Sequence, residues 1–173
     1  SLFILARVYH TQGMMDDALK AYTKACNLSR DLTPARFGLA QALIYQEDYD
    51  EAAANLKEVI ASSGTATDAL AILGLLEVKS GSEIQEGLAH LRKAIDLSPL
   101  DPSLILLEAL ALQQHESNYN KALERYKKAV DLMQRQGKKI SFEIYTNIGV
   151  LCHETRKLEE SLQSYQKALD ALD

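Results

Sequence analysis

Two cysteines are all that the 173-residue sequence contains. Cys26 and Cys152 lie far apart and fall on helical faces, which excludes a disulfide framework and a cysteine-rich metal site. They read as small buried apolar residues of a chain kept in a reducing, intracellular compartment. No apolar run approaches the roughly 20 residues that a membrane span needs, and no signal-peptide pattern is present, so a soluble chain without a membrane partner is expected. Positive charge is not in excess either: 19 Lys and Arg stand among 24 Asp and Glu, for a net charge of −5. With the two signs interspersed, no surface tracks phosphates, and no direct nucleic-acid partner is expected. The densest basic group, Arg135, Lys138 and Lys139, reads as a solvated linker.

Catalytic signatures are missing as well. There is no GxSxG, P-loop, HExxH or paired-cysteine motif. His10, His90, His115 and His153 are scattered, with no Cys or carboxylate at metal-ligand spacing, and read as surface or groove histidines. Acid pairs such as Asp16–Asp17 and Glu159–Glu160 fall in first helical turns, where the macrodipole favours negative charge. The expectation is a chain with no enzymatic activity, no cofactor and no metal.

What the sequence does have is a globular balance, 47% hydrophobic and 25% charged, and an internal repeat. The segments GMMDDALKAYTKAC, EDYDEAAANLKEVI, EIQEGLAHLRKAI, SNYNKALERYKKAV and RKLEESLQSYQKAL share one frame. Its small residues Ala18, Ala52, Gly87, Ala122 and Ser161 are 34, 35, 35 and 39 residues apart. Four residues on come Tyr22, Leu56, Leu91, Tyr126 and Tyr165, and three further Ala25, Val59, Ala94, Ala129 and Ala168, all on one helical face. Upstream stripes (Leu2, Leu5, Ala6, Tyr9; Leu39, Ala40, Leu43; Leu70, Leu73, Gly74; Tyr145, Ile148, Gly149, Cys152) predict a partner helix in each unit.

Glycine inside a helix costs about 1 kcal/mol against alanine, so Gly74 and Gly149 predict close helix crossings, as do Ala40 and Ala52. Gly13 and Gly81 fall in turns. The three prolines sit at boundaries: Thr33 before Pro34 and Asp101 before Pro102 predict an N-cap followed by proline in the first turn, and Pro99 closes the third unit. Asp48 with Glu51 predicts a capping box.

These residues resemble the tetratricopeptide repeat, with LAILGLLEVKSG, GLAHLRKAIDLSP and YTNIGVLCHETRKLEESLQSYQKAL as the clearest matches. The resemblance implies an all-α, right-handed superhelical solenoid of about five helix-turn-helix repeats, units approximately 1–32, 33–64, 65–99, 100–139 and 140–173 in a single array over 1–173. Three departures stand out: one extra residue in the turn near Ser82–Glu86, an ambiguous register between Leu110 and Tyr119, and a longer link at QRQGKKIS. The ends, at Ser1 and Asp173, read as cuts from a longer array.

Periodicity assigns a partner-binding groove to the first helix of each pair. Its expected residues are Phe3, Arg7 and His10; Phe37, Gln41, Ile44 and Tyr45; Leu75, Val78 and Lys79; Ile105 and Leu112; Val150 and His153. Many are apolar, which predicts an apolar, extended or helical partner segment, some of these side chains packing on neighbouring helices instead. Basic residues are few there, against a clamp for an acidic chain terminus. The helix SLILLEALAL, apolar nearly all round, is expected to be buried on every side.

The succession RFGLAQALIYQEDYDEAAANLKEVI, LAHLRKAIDLSPLDPSLILLEALAL and DLMQRQGKKISFEIYTNIGVLCHETRKLEESLQSYQKALD resembles the tetratricopeptide subunits of RNA polymerase II-associated factor (PAF) elongation complexes. That resemblance implies a nuclear scaffold whose partner is the complex's namesake subunit, acting in transcription elongation and linked histone modification. Other tetratricopeptide scaffolds remain open: a ubiquitin-ligase or ciliary-transport assembly, or the substrate-recognition array of an attached glycosyltransferase.

Overall fold

A computed structural model describes residues 2–29, 32–64, 66–114 and 116–172, so His115 and both terminal residues lie outside the described residues. Ten α-helices run through them, with a 3-10 turn at Glu116–Asn118. The chain divides into two compact units, residues 1–76 and 77–173. The first holds α1 (Leu2–Thr11), α2 (Met15–Leu28), α3 (Thr33–Tyr45), α4 (Tyr49–Ser62) and most of α5 (Thr67–Ser80). The second holds the end of α5, then α6 (Ile84–Leu97), α7 (Pro102–Leu112), α8 (Tyr119–Arg135), α9 (Phe142–Glu154) and α10 (Leu158–Asp170). In the first unit α1 packs on α2, α3 on α4, and α2 on α3; in the second α6 packs on α7, α7 on α8, α8 on α9, and α9 on α10.

The small residues lie where these helices cross. Ala18, Ala52, Gly87, Ala122 and Ser161 are all buried. Ser161 does more than leave room: its hydroxyl donates to the carbonyl of Gly149 on α9, at 2.8 Å. A Cβ on Gly149 would stand 2.8 to 3.0 Å from the ring of Tyr165 on α10, so the expected close approach of a second helix is present there.

Helix ends follow the expected chemistry in part. Asp48 accepts from the Glu51 amide at 3.4 Å, but the return bond of a capping box is not made, because the Asp48 amide donates to the Leu43 carbonyl at 3.0 Å; Asp101 accepts from the Ser103 amide at 2.9 Å. Thr33 is not an N-cap. The Leu32 carbonyl already accepts from the Ala35 and Arg36 amides, so the helix starts one residue earlier and Thr33 is its first residue. Another correction concerns Leu5, expected in the inner stripe of α1 but exposed. The connection between α5 and α6 spans residues 81–83, no longer than those between α1 and α2, α3 and α4, or α9 and α10, so the extra residue between Gly81 and Gly87 does not lengthen the turn; α5 instead runs to Ser80, directly before Gly81. The long link after α8 is not wholly solvated: Arg135, Lys138 and Lys139 are exposed, but Ile140 is buried and the Gln136 amide donates to the Leu100 carbonyl at 2.7 Å.

Gly13 and Gly81 take φ of 76° in the turns, and Glu47 (64°) and Arg156 (59°) hold the same left-handed position without glycine. That conformation costs an L-residue about 1–2 kcal/mol, while glycine loses roughly 0.5–1 kcal/mol more backbone entropy on folding. Glu47→Gly and Arg156→Gly are each expected to stabilise the fold by up to about 1 kcal/mol, read as a higher urea midpoint with an unchanged slope.

Candidate functional site

In the first unit, α1 places Phe3, Arg7 and His10 along one side, three to four residues apart, around the ring of Tyr22 from α2. Phe3 lies 6.4 Å from that ring in a tilted arrangement, and His10 meets it edge-on at 6.0 Å with Nδ1 3.5 Å from the hydroxyl. The Arg7 guanidinium lies 5.8 Å from the Phe3 centroid, a cation–π contact that leaves its charge exposed. Burial raises the Tyr22 pKa above its ordinary value, opposed by the nearby Arg7 charge, so the hydroxyl stays neutral at physiological pH.

On α3, Phe37, Gln41 and Ile44 are half-buried and Tyr45 is exposed. Phe37 lines an apolar cleft of about 430 Å³ together with Pro34, Val59, Ala66 and Ala69. Such a cleft has room for one large apolar side chain of a partner and offers it little polar competition. Leu75 on α5 is half-buried.

In the second unit three expected groove residues are core residues. Val78, near the end of α5, is almost fully buried; so are Ile105 and Leu112, because α7 is apolar nearly all round and is packed between α6 and α8. Lys79, Val150 and His153 are exposed. A cleft of about 250 Å³ opens beside Val150, lined by Gln113, Tyr119 and Asn147. Next to it, the Tyr126 hydroxyl donates to Gln113 Oε1 at 2.8 Å and accepts from Asn147 at 3.2 Å. The sequence reading treats Tyr22 and Tyr126 as packing residues; their hydroxyl partners emerge only from the fold, although a tyrosine where other units carry leucine is a signal that a polar partner is needed.

Burial pushes the Tyr126 pKa up to about 12 from 10, against the lowering effect of the Asn147 hydrogen bond. A raised pKa contributes stability that is fully present below the unfolded value near 10 and is lost as pH rises through the folded value. Two pKa units correspond to about 3 kcal/mol, so alkaline titration is expected to destabilise the fold between pH 10 and about 12. Tyr126→Phe should flatten that slope in urea midpoints measured across this range.

The remaining candidates for chemistry are accounted for locally. His90 Nδ1 lies 2.7 Å from the buried Glu77 carboxylate, and His153 lies against Glu154. Cys152 is buried and Cys26 half-buried, and burial raises both thiol pKa values, which suppresses thiolate reactivity. Lys127 pairs with Glu160 and holds that carboxyl below its ordinary pKa. Among the described residues, no three His, Cys, Asp or Glu side chains gather as a metal site, and no helix is long and apolar enough to cross a membrane.

Three sequence models described as tetratricopeptide repeat match residues 1–36, 37–102 and 101–173. Protein CTR9 homolog of Arabidopsis thaliana is 27% identical over 173 residues, 98% of this chain and 16% of that protein. RNA polymerase-associated protein CTR9 of Caenorhabditis elegans is 24% identical over 183 residues, covering all of this chain and 16% of that protein. Protein O-mannosyl-transferase TMTC1 of Homo sapiens is 26% identical over 168 residues, 95% of this chain and 18% of that protein. The chain thus spans less than a fifth of the curated relatives it matches. Among solved structures, YrrB, described as a tetratricopeptide protein with an unusual peptide-binding site, superposes with a TM-score of 0.76 at 20% identity, over 98% of this chain and 84% of that one.

Proposed function

The chain belongs to the tetratricopeptide repeat family, whose helix pairs serve as non-catalytic protein-interaction scaffolds, and on that premise we propose that it assembles the PAF complex of RNA polymerase II transcription. Its partner in this reading is an apolar segment of the complex's namesake subunit, held by α1, α3 and α5 of the first unit, and its site of action is the nucleus, in elongation and linked histone modification. Likeness to the two CTR9 proteins along nearly the whole chain supports the assignment. The observation that carries the binding mode is the mostly apolar cleft at Phe37: a partner side chain placed there loses apolar surface to water.

The test is calorimetric titration with overlapping peptides of that namesake subunit from the same source. Binding at micromolar strength or tighter is expected, weakened roughly 30-fold by Phe37→Ala or Leu75→Asp, about 2 kcal/mol, with helicity intact. Loss of helicity in step with binding would assign these side chains to the core instead. A folded chain that binds none of the peptides would remove the PAF assignment and favour a second reading supported by the TMTC1 likeness, a recognition array attached to an O-mannosyl-transferase.

A further inference from the structure

A buried carboxylate needs compensating charge, and one in the second unit has twice what it needs. Glu108 of α7 keeps 1% of its side chain exposed, and it faces Arg92 of α6 through Nε at 3.4 Å and Arg125 of α8 through Nε at 3.0 Å. A guanidinium is a permanent cation, so two of them against one carboxylate leave a surplus of one positive charge.

That surplus reaches water. The Arg92 side chain is 54% exposed and that of Arg125 40%, and among the described residues neither has a hydrogen-bond or ion-pair partner other than Glu108. Each guanidinium carries five N–H donors, and one carboxylate occupies few of the ten, so most are left for solvent or a ligand. On α8, the residues one turn to either side of Arg125 on the same face are Lys121 and Lys128, both exposed. The acids nearby in sequence, Asp96 on α6 and Glu124 on α8, pair with none of these four cations. Set against Lys121 and Lys128 they cancel, and the surplus remains one positive charge on a chain whose net charge is −5. Both α6 and α8 are interior in the chain order, so this exposure does not arise at either end of it.

Anchoring matters as much as charge. A free arginine side chain loses rotamer freedom when it closes on a ligand, but Glu108 already holds both of these from beneath, so less remains to be lost. A planar guanidinium meets a carboxylate or phosphate through paired N–H···O bonds, a geometry that a lysine does not reproduce. The charge tally decides between the two oxyanions. One carboxylate neutralises the surplus, whereas a phosphorylated side chain, at about −1.5 to −2 near neutral pH, overshoots it.

We propose that Arg92 and Arg125, held in place by Glu108, form a docking site for an aspartate or glutamate side chain in an acidic segment of a protein partner. The site is separate from the groove residues of α1, α3 and α5 and stands whether or not the PAF assignment does.

Fluorescence anisotropy of a labelled peptide of alternating glutamate and glycine, titrated with the whole chain at low ionic strength, tests this. Saturable binding is expected, weakening as salt is raised. Arg92→Lys/Arg125→Lys keeps two positive charges opposite Glu108 but removes both forks, and is expected to lower affinity about tenfold at wild-type helicity. Should that variant lose helicity, Arg92→Leu/Arg125→Leu/Glu108→Leu removes the whole cluster, buried charge included, and is expected to fold and bind no peptide. Lys121→Gln/Lys128→Gln, by contrast, is expected to weaken binding only about two- to threefold, as solvent-screened charges do. A wild type that does not bind the peptide overturns the proposal, and so does a folded triple variant that binds like the wild type. Unchanged affinity in the lysine double variant also overturns it, since charge alone would then suffice. Acetate and inorganic phosphate, compared as competitors at equal ionic strength, separate the oxyanions: displacement by acetate at concentrations no higher than phosphate supports the carboxylate, and displacement by phosphate at clearly lower concentration overturns it in favour of a phosphorylated segment.

Discussion

Replacing Arg92 and Arg125 together by leucine is expected to cost the folded chain about 3–5 kcal/mol, although both side chains are partly exposed. The reason lies beneath them. Glu108 sits in the middle of the apolar helix α7 with 1% of its surface exposed, and its two oxygens face Arg92 Nε of α6 at 3.4 Å and Arg125 Nε of α8 at 3.0 Å. Without the guanidinium groups the carboxylate keeps its desolvation penalty and loses its compensation. Changing Glu108 to leucine in that same background should return most of the loss, since a well-packed apolar replacement of a buried ion pair is commonly neutral or stabilising. Urea unfolding of the double and triple variants measures both steps; a double variant as stable as the wild type would mean that the two arginines do not carry the carboxylate.

The second large effect is expected at Gly38. A Cβ there would stand 2.4 Å from Cζ of Tyr22, and that ring has little freedom to swing because it is buried and flanked by Phe3 and His10. Gly38→Leu should therefore cost about 3 kcal/mol, the upper end of the usual range for overpacking. Truncating the ring alone, Tyr22→Ala, should cost about 3–5 kcal/mol through the cavity it leaves. The two together should cost clearly less than their sum, because the leucine enters the space that the ring vacates; strict additivity would show that residue 38 and the ring do not share that space.

The repeat frame was legible because it is written in residue size at fixed intervals, which depends only on helical geometry. Ala18, Ala52 and Ala122 had to be small wherever two helices cross, so their positions predicted the crossings without knowledge of the neighbours. The groove was less legible. Val78, Ile105 and Leu112 have the same periodicity as Phe37 and Tyr45, and only the packing of flanking helices decides which of them water can reach. Glu108 was invisible for a related reason: in SLILLEALAL it reads as the one polar interruption of an apolar helix, while its two partners come from helices on either side. Gly38 in the RFGLA segment was passed over because the ring that requires it lies 16 residues earlier, on a different helix.

The placement of the two cysteines gives each compact unit its own clock. Cys26 belongs to the first unit and is half-buried, while Cys152 belongs to the second and is enclosed between α9 and its surroundings. A thiol reagent added to the native protein therefore reaches Cys26 through small fluctuations, but reaches Cys152 only when the α9–α10 hairpin opens. The ratio of the two labelling rates in one sample reads the opening free energy of that hairpin directly, with no foreign label introduced. Any molecule that seats on this hairpin and holds α10 against α9 slows the second clock and leaves the first running.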